Sequence, residues 1–374
     1  MTSGLQPRFP SLDALEAALW PGFALLVFVA TAVLVDAMIF VAARWRLVDL
    51  PNRRSAHSLP TAGGGGVGIA AVTSLAMLVT MVRWPSQALT IATGMLLPCL
   101  IVALLGLIDD IRPLSATLRL GIQCGVAVYA TMVLGPVERI GLPGVTVLEL
   151  GWLGWPLTVL WIVGLANAWN FMDGSDGMAA LGAVAAGLGI AAIRWRLHDN
   201  PGLILAVSGA AAAAGFLVYN WQPARIFMGD AGSGFLGTFF ATLLLLPAPE
   251  QREAVLLPSA LALWPYIYDP FLSVLRRVWN GAHPFRPHRE FLFHRLIRSG
   301  VSHARTALLY AACSAAGGLV GLALLDTRLP AFVRGLLPLG IVAMGVGLTW
   351  AIEHRCSRVG LTPAGRAADP VQAH

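Results

Sequence analysis

Lysine is absent from this 374-residue chain: all 25 basic residues are arginine, a bias read as genomic rather than chemical. Charge of either sign is scarce, at 12% of residues, against roughly 25% in soluble domains. With 57% hydrophobic residues and a mean hydropathy of +0.73, that scarcity excludes a soluble globular protein of this length. Cysteine is sparse as well. Cys99, Cys124, Cys313 and Cys356 lie far apart with no Cys-x-x-Cys spacing, which excludes a disulfide framework and argues against a zinc site. The first apolar run, 20–43, lacks a basic flank and is too long for a signal-peptide core, so no cleavable leader is expected. No internal repeat and no inserted soluble domain is visible.

What the chain has is a series of apolar runs, each long enough to cross a bilayer as a helix. Eleven spans are expected, at 20–43, 64–82, 87–108, 118–135, 152–168, 177–193, 202–219, 233–248, 254–275, 304–325 and 330–352. The loops after odd-numbered spans (44–63, 109–117, 169–176, 220–232, 276–303) and the tail carry fifteen arginines, against six in the even-numbered loops. Positive charge accumulates on the cytoplasmic side, which places the odd loops there and the N-terminus in the periplasm. The net charge of +6 thus reflects loop orientation, and no nucleic acid partner is expected. The fold class is all-α: a polytopic integral membrane protein of about 11 transmembrane helices, with the C-terminus cytoplasmic. Residues 1–352 form one transmembrane catalytic domain, and 353–374 a polar cytoplasmic tail expected to be disordered.

The same parity sorts the chemistry. Asp109, Asp110, Asp173, Asp176 and Asp230 all fall in odd loops, as do His57, His283, His288 and His294. Asp109-Asp110 closes the third span, where adjacent carboxylates repel and a divalent metal or a proton would relieve them. The island Asn167-Ala-Trp-Asn-Phe-Met-Asp-Gly-Ser-Asp-Gly177 offers oxygen ligands, and on the first turn of the sixth helix Asp173 and Asp176 would share a face. The glycine run Gly63 to Gly66 suits either an anion at a helix N-terminus or a flexible turn. In Phe227-Met-Gly-Asp230, Phe227 could stack on a base or anchor the loop at the membrane. The basic loop from Arg276 to His303 suits diphosphate, lipid phosphate or anionic headgroups. Asp36 and Asp269 lie within spans, without an evident partner.

The motifs appear in one order: Asp49-x-Pro-Asn-x-Arg-Ser-x-His57, Asp109-Asp110, Asn167-x-x-Asn-Phe-Met-Asp-Gly-x-Asp-Gly177, Phe227-Met-Gly-Asp230, and the His/Arg loop. Over about residues 45–305 the chain resembles the polyprenyl-phosphate N-acetylhexosamine-1-phosphate transferases of glycosyltransferase family 4. That family includes enzymes initiating O-antigen and enterobacterial common antigen; lipid I synthase is a more distant member. The resemblance implies transfer of N-acetylhexosamine 1-phosphate from a UDP-N-acetylhexosamine to undecaprenyl phosphate in the bacterial inner membrane. It implies Mg2+, with Mn2+ an alternative, and a homodimer is one possible assembly. It casts Asp109 as activating or orienting the lipid phosphate, with Asp110 beside it near the metal. Asp230 becomes the principal metal ligand, and Asp173 a support for metal or diphosphate. Asn170 and Asp176 would hold the nucleotide with Asn220 near the uridine, Phe227 would stack on uracil, and His294, Arg289 and Arg295 would meet the diphosphate. Two departures stand out: Ala62 and Gly63 replace the basic residue relatives carry there, and Phe291 and Phe293 stand where relatives have histidines. A transporter is disfavoured, because the acids gather at helix ends on one face and not at the midplane. A catalytically dead subunit is disfavoured by the retention of all five aspartates.

Overall fold

In hydrocarbon no water can satisfy backbone N–H and C=O groups, so apolar runs become helices, which satisfy them internally. The computed structural model describes residues 12–45, 48–49, 61–142, 146–281 and 290–361. It opens with α1 (Leu12–Trp45), a short antiparallel pair β1 (Val48–Asp49) and β2 (Thr61–Ala62), and α2 (Gly66–Arg83). One continuous span follows: α3 (Pro85–Thr90), a π-helical turn (Ile91–Leu96) and α4 (Leu97–Ile111). Then come α5 (Ala116–Leu134), the hairpin β3 (Arg139–Leu142) and β4 (Thr146–Glu149), α6 (Gly154–Met172), α7 (Met178–Arg196) and α8 (Asn200–Asn220). The rest is α9 (Gly229–Leu245), α10 (Pro249–Ala262), α11 (Trp264–Trp279), α12 (Leu292–Arg298), α13 (His303–Leu324) and α14 (Ala331–Arg358).

Nine helical segments among the described residues are long and apolar enough to cross a membrane, and they coincide with nine of the eleven expected spans. The other two differ for physical reasons. The expected span 233–248 is α9, only 17 residues long and buried on every side from Ala231 to Leu245. A helix with no lipid-facing surface can be shorter than the bilayer is thick. The expected span 254–275 is two helices, α10 and α11, that meet at Leu263. Pro265 lies in the first turn of α11, where its missing N–H costs nothing.

α9 is the axis of the bundle, with α2, α4 and α6 packed around it. Gly106 brings α4 hard against it: a Cβ there would lie 2.4 Å from the backbone carbonyl of Asp230. Trp169 of α6 packs between α9 and α11, its ring centroid 5.0 Å from that of Phe240 and 4.7 Å from that of Tyr266. α7 packs between α8 and α13, and α1 lies against α8. Leu26, Val33, Phe40, Val82, Leu319 and Val346 point outward from these helices, as lipid-facing residues must.

Both ends of the chain carry more helix than expected. α1 starts at Leu12, eight residues before its apolar window. α14 continues to Arg358, so Glu353 to Arg358 belong to a packed helix and not to a disordered tail; Ile352 and Cys356 are buried against α12. Two arginines counted in even loops are structural. Arg194 is buried, donating to Asp199 at 2.5 Å and to the Leu243 carbonyl at 2.6 Å. Arg252 donates to the carbonyls of Leu134, Gly135 and Pro247, closing the C-terminal end of α5.

Gly106→Val forces α4 away from α9, and overpacking of this kind costs about 1–3 kcal/mol or more. Its melting temperature in detergent should fall by several degrees. Gly121→Val on α5, where a Cβ meets nothing within 4 Å, should leave it unchanged.

Candidate active site

The acidic motifs meet where the C-terminal ends of α4 and α6 face the N-terminal end of α9. Two adjacent carboxylates at the end of α4 oppose that helix's own dipole. Two features offset this. Asp110 lies across the N-terminus of α9, accepting from the N–H groups of Asp230 at 2.9 Å and Ala231 at 3.2 Å. There the dipole is positive and orphan donors need an acceptor. The fit requires Gly229, whose φ is +76° and whose Cβ would meet Asp110 Oδ2 at 2.7 Å. Asp109 accepts from the Leu114 N–H at 2.6 Å and from the guanidinium of Arg119.

Arg119 is the hub, and it is absent from the residues expected above. It sits in the first turn of α5, and the same Nη1 that meets Asp109 donates to Asp230 Oδ2 at 2.8 Å. The other oxygen of Asp230 accepts from Asn170 Nδ2 at 2.7 Å, and that amide also reaches Ser233 Oγ at 3.1 Å. One guanidinium thus holds the ends of α4, α5 and α9 together, with α6 joined through Asn170. A cavity of about 50 Å³ opens beside it toward the apolar interior, lined by Val102, Leu105, Gln123, Asn167 and Phe171 as well as Arg119. Asn167 donates to Gln123 at 2.7 Å, so two further polar side chains face this space from α5 and α6.

The central island divides between two neighbourhoods. Neither Asp173 nor Asp176 lies on α7: Asp173 ends α6, and the turn runs to Gly177, whose φ of +71° precedes the first residue of α7. The expectation of a shared helical face is therefore corrected. Asp173 turns to the acidic centre, towards the N-terminus of α9 and the carboxylates of Asp230 and Asp110. Burial, then the charges of Asp230 and Asp110, hold its carboxyl well above the usual carboxylate range. Asp176 turns the other way, accepting from the Ala224 N–H at 3.1 Å and standing 3.9 Å from His303 Nδ1, which also meets Ser175 Oγ at 2.9 Å.

Asn220 and Phe227 belong to the loop facing Asp176. Asn220 is buried, accepting from the Gly177 N–H at 3.0 Å and donating to the Ile226 carbonyl at 2.9 Å. Both ends of its carboxamide are used in locking the loop, which makes it a positioning residue. Phe227 is half-buried, and its backbone pairs with loop one: its N–H donates to the Ala62 carbonyl at 2.8 Å and its carbonyl accepts from Gly65 at 2.9 Å. Gly66 likewise donates to the Met228 carbonyl. The N–H groups of Gly65 and Gly66 are consumed in this joint and do not face an anion, while Arg53, Arg54 and His57 lie outside the described residues.

The last loop is split as well. His283, Arg286, His288 and Arg289 lie outside the described residues. α12 is described, and Asp269 explains where it sits. That buried carboxylate on α11 accepts from the N–H groups of Leu292 at 2.7 Å and Phe293 at 3.1 Å, and from the Tyr310 hydroxyl at 2.7 Å. Asp269, without an evident partner in the sequence, is thus the N-terminal cap of α12. From α12, His294 reaches the central island, its Nε2 lying 2.9 Å from where a Cβ on Gly174 would begin. Its ring packs on Phe293 at 4.0 Å, so one of the phenylalanines standing in for histidine walls this imidazole. Arg295, expected at the diphosphate, points the opposite way into a buried ion pair with Glu353 of α14 at 2.7 Å. Neighbouring residues on a helix diverge by about 100°, so one turn cannot aim both at the same ligand.

The donor set fits a divalent cation. Asp109 and Asp230 converge on one positive charge, and Asp173 adds a carboxyl that burial, then the charges of Asp230 and Asp110, keep protonated. Among the described residues no group of three His, Cys, Asp or Glu encloses a metal alone. Carboxylate oxygens are the ligand type a hard cation such as Mg2+ takes, with water and substrate phosphate completing its shell.

Helix ends, clustered carboxylates and carboxamides at one face of a polytopic bundle define the site of a membrane transferase. Residues 92–248 match the model of glycosyl transferase family 4. A probable undecaprenyl-phosphate N-acetylglucosaminyl 1-phosphate transferase of Bacillus subtilis is 35% identical over 276 residues, covering 72% of this chain and 75% of the relative. A decaprenyl-phosphate N-acetylglucosaminephosphotransferase of Mycolicibacterium smegmatis is 33% identical over 300 residues, 72% of this chain and 73% of the relative. A phospho-N-acetylmuramoyl-pentapeptide-transferase of a Synechococcus strain is 33% identical over 275 residues, 67% of this chain and 78% of the relative. The chain belongs to glycosyl transferase family 4.

The raised pKa of Asp173 sets a pH dependence. The folded state binds this proton more tightly than the unfolded chain, where aspartate titrates near about 3.9. Stability therefore declines as pH rises from that value, and the deficit is complete above the folded pKa. In divalent-free buffer, the melting temperature of Asp173→Asn should fall less between about pH 5 and about pH 8 than that of the wild type. Parallel curves would assign the decline to other groups.

Proposed function

We propose that this protein transfers N-acetylhexosamine 1-phosphate from a UDP-N-acetylhexosamine to undecaprenyl phosphate, releasing UMP. The observation that carries this reading is the meeting of Asp109, Asp230 and Asn170 around Arg119 at the ends of membrane helices. There a lipid phosphate and a soluble diphosphate can reach the same groups. An oxygen of the lipid phosphate attacks the β-phosphorus, and the bond from that phosphorus to the bridging oxygen breaks. The electron pair leaves with that oxygen on UMP. A phosphate monoester is already largely ionised at neutral pH, with a second pKa near about 6, so no strong base is needed.

Direct attack is favoured over an aspartyl intermediate, because the lipid phosphate is itself an ionised nucleophile. Both oxygens of Asp110 accept from α9, and those of Asp109 accept from Leu114 and Arg119. Arg119 supplies a guanidinium for the phosphates, and Asn170 keeps Asp230 oriented. Asp176, tied to the loop at Ala224, shapes the nucleotide side together with Phe227. His294, at the Gly174 turn, is the imidazole assigned to the diphosphate in this reading. Mg2+, or Mn2+ in its place, would be held by Asp230 with Asp109 and Asp173 and would neutralise the diphosphate and the departing UMP.

N-acetylglucosamine is the first sugar to test, since two of the relatives above are named for it. The lipid-linked product would begin a surface polysaccharide such as O-antigen. The excess of arginine in the odd loops supports a cytoplasmic site at the inner membrane.

Purified protein given undecaprenyl phosphate, Mg2+ and a panel of UDP-N-acetylhexosamines should release UMP with at least one of them. Silence across the panel from folded protein would overturn the reading. Asp230→Asn should reduce turnover at least about a hundredfold, the scale of losing one charge-stabilising group. For orientation, a cysteine placed at Thr146 should react with an impermeant maleimide added to intact cells, and one at Arg298 should not. The reverse pattern would invert the topology.

A further inference from the structure

The far side of α12 holds a second site, unrelated to the acidic centre. A cavity of about 450 Å³ opens among the C-terminal ends of α11 and α14 and the outer face of α12. Arg276, Arg295, Trp350, Glu353 and His354 line it. Two guanidiniums share one carboxylate: Arg276 donates to Glu353 Oε1 at 2.8 Å and Arg295 to Glu353 Oε2 at 2.7 Å. The pocket therefore carries a surplus positive charge. Arg295 is only 4% exposed, yet its Nε–H has no hydrogen-bond partner. A buried, charged donor left unpaired is costly, and it lies in the wall of a space large enough for a phosphate group and more.

The level of the cavity identifies the source of that phosphate. Trp279, at the end of α11, is 86% exposed, and Trp350 of α14 is 67% exposed and stacks on His354. Exposed tryptophans gather at the headgroup layer, where an amphipathic ring meets both lipid and water. We propose that this cavity binds the phosphate of an anionic membrane lipid, with Arg276 and Arg295 as its ligands and Glu353 as the carboxylate that competes for them. Arginine forks match phosphate oxygens well, which suits both side chains to the task.

The competition gives a test whose two arms move in opposite directions. The full-length protein in a zwitterionic detergent is titrated with short-chain phosphatidylglycerol, with short-chain phosphatidylcholine and with inorganic phosphate. Binding and melting temperature are followed. Phosphatidylglycerol should bind and raise the melting temperature, whereas phosphatidylcholine should not. Arg276→Gln should weaken that binding about tenfold, the scale of one charge-assisted contact, and Glu353→Gln should tighten it by freeing both guanidiniums. A variant that merely loosens the fold cannot tighten binding, so the second arm holds even if Arg276→Gln folds poorly. Equal stabilisation by inorganic phosphate, with the same response to the variants, would keep the anion site and assign it a soluble occupant. No preference for the anionic lipid or for phosphate, or binding indifferent to Glu353→Gln, would overturn the proposal.

Discussion

Like charges brought together at the edge of a bilayer repel, and the arrangement around Arg119 exists to contain that repulsion. Asp109 and Asp230 come from helices more than a hundred residues apart, and a single guanidinium nitrogen lies between them. Asp110 is neutralised differently, by the N-terminus of the helix that carries Asp230. Asp173 keeps its proton through burial first and the charges of Asp230 and Asp110 second, and Asp230 is itself pushed up to about 7. A bilayer interior offers no water to dilute such charges, so the helix ends must sit where their dipoles and side chains complement one another. The close glycine contacts of α4 with α9 follow from the same requirement, since a wider spacing would pull Asp110 off its donors.

The spans were largely legible because bilayer thickness fixes their length, and nine of them reappear within a few residues of expectation. The two that differ were hidden by context. A hydropathy pattern cannot report that α9 is enclosed and so needs no full crossing length, nor that Pro265 breaks the ninth span at Leu263. Parity of the loops did bring Asp109, Asp173 and Asp230 to one end, and the structure joins them there.

Side-chain direction was less legible. Asp173 and Asp176 look equivalent in sequence, but Gly177 in a left-handed conformation delays the start of α7 and lets them diverge. His294 and Arg295 are adjacent and basic, yet the Asp269 cap fixes α12 so that one faces the Gly174 turn and the other faces Glu353. Arg119 left a usable trace: it is an arginine within the apolar run 118–135, and an intramembrane charge is a functional candidate by default. The positions of Asn220 and Gly65, whose polar groups serve neighbouring backbone, depend on contacts that no local pattern encodes.

The enclosure of α9 has a consequence for how the protein is made. Helices enter the membrane in chain order as synthesis proceeds. α2, α4 and α6, which surround α9, are all synthesised before it, and α9 itself carries Ser233, Thr238 and Thr242 where lipid would otherwise touch. A short helix with that surface is a poor guest for bare lipid. It gains a favourable environment only by sliding into a slot its predecessors have already built. Asp230 thus rides on a helix that fills this slot, and Asp110 receives its donors only when α9 is seated. A chain that fails to seat α9 would lack an acidic centre altogether, which ties the appearance of the site to that one step of assembly.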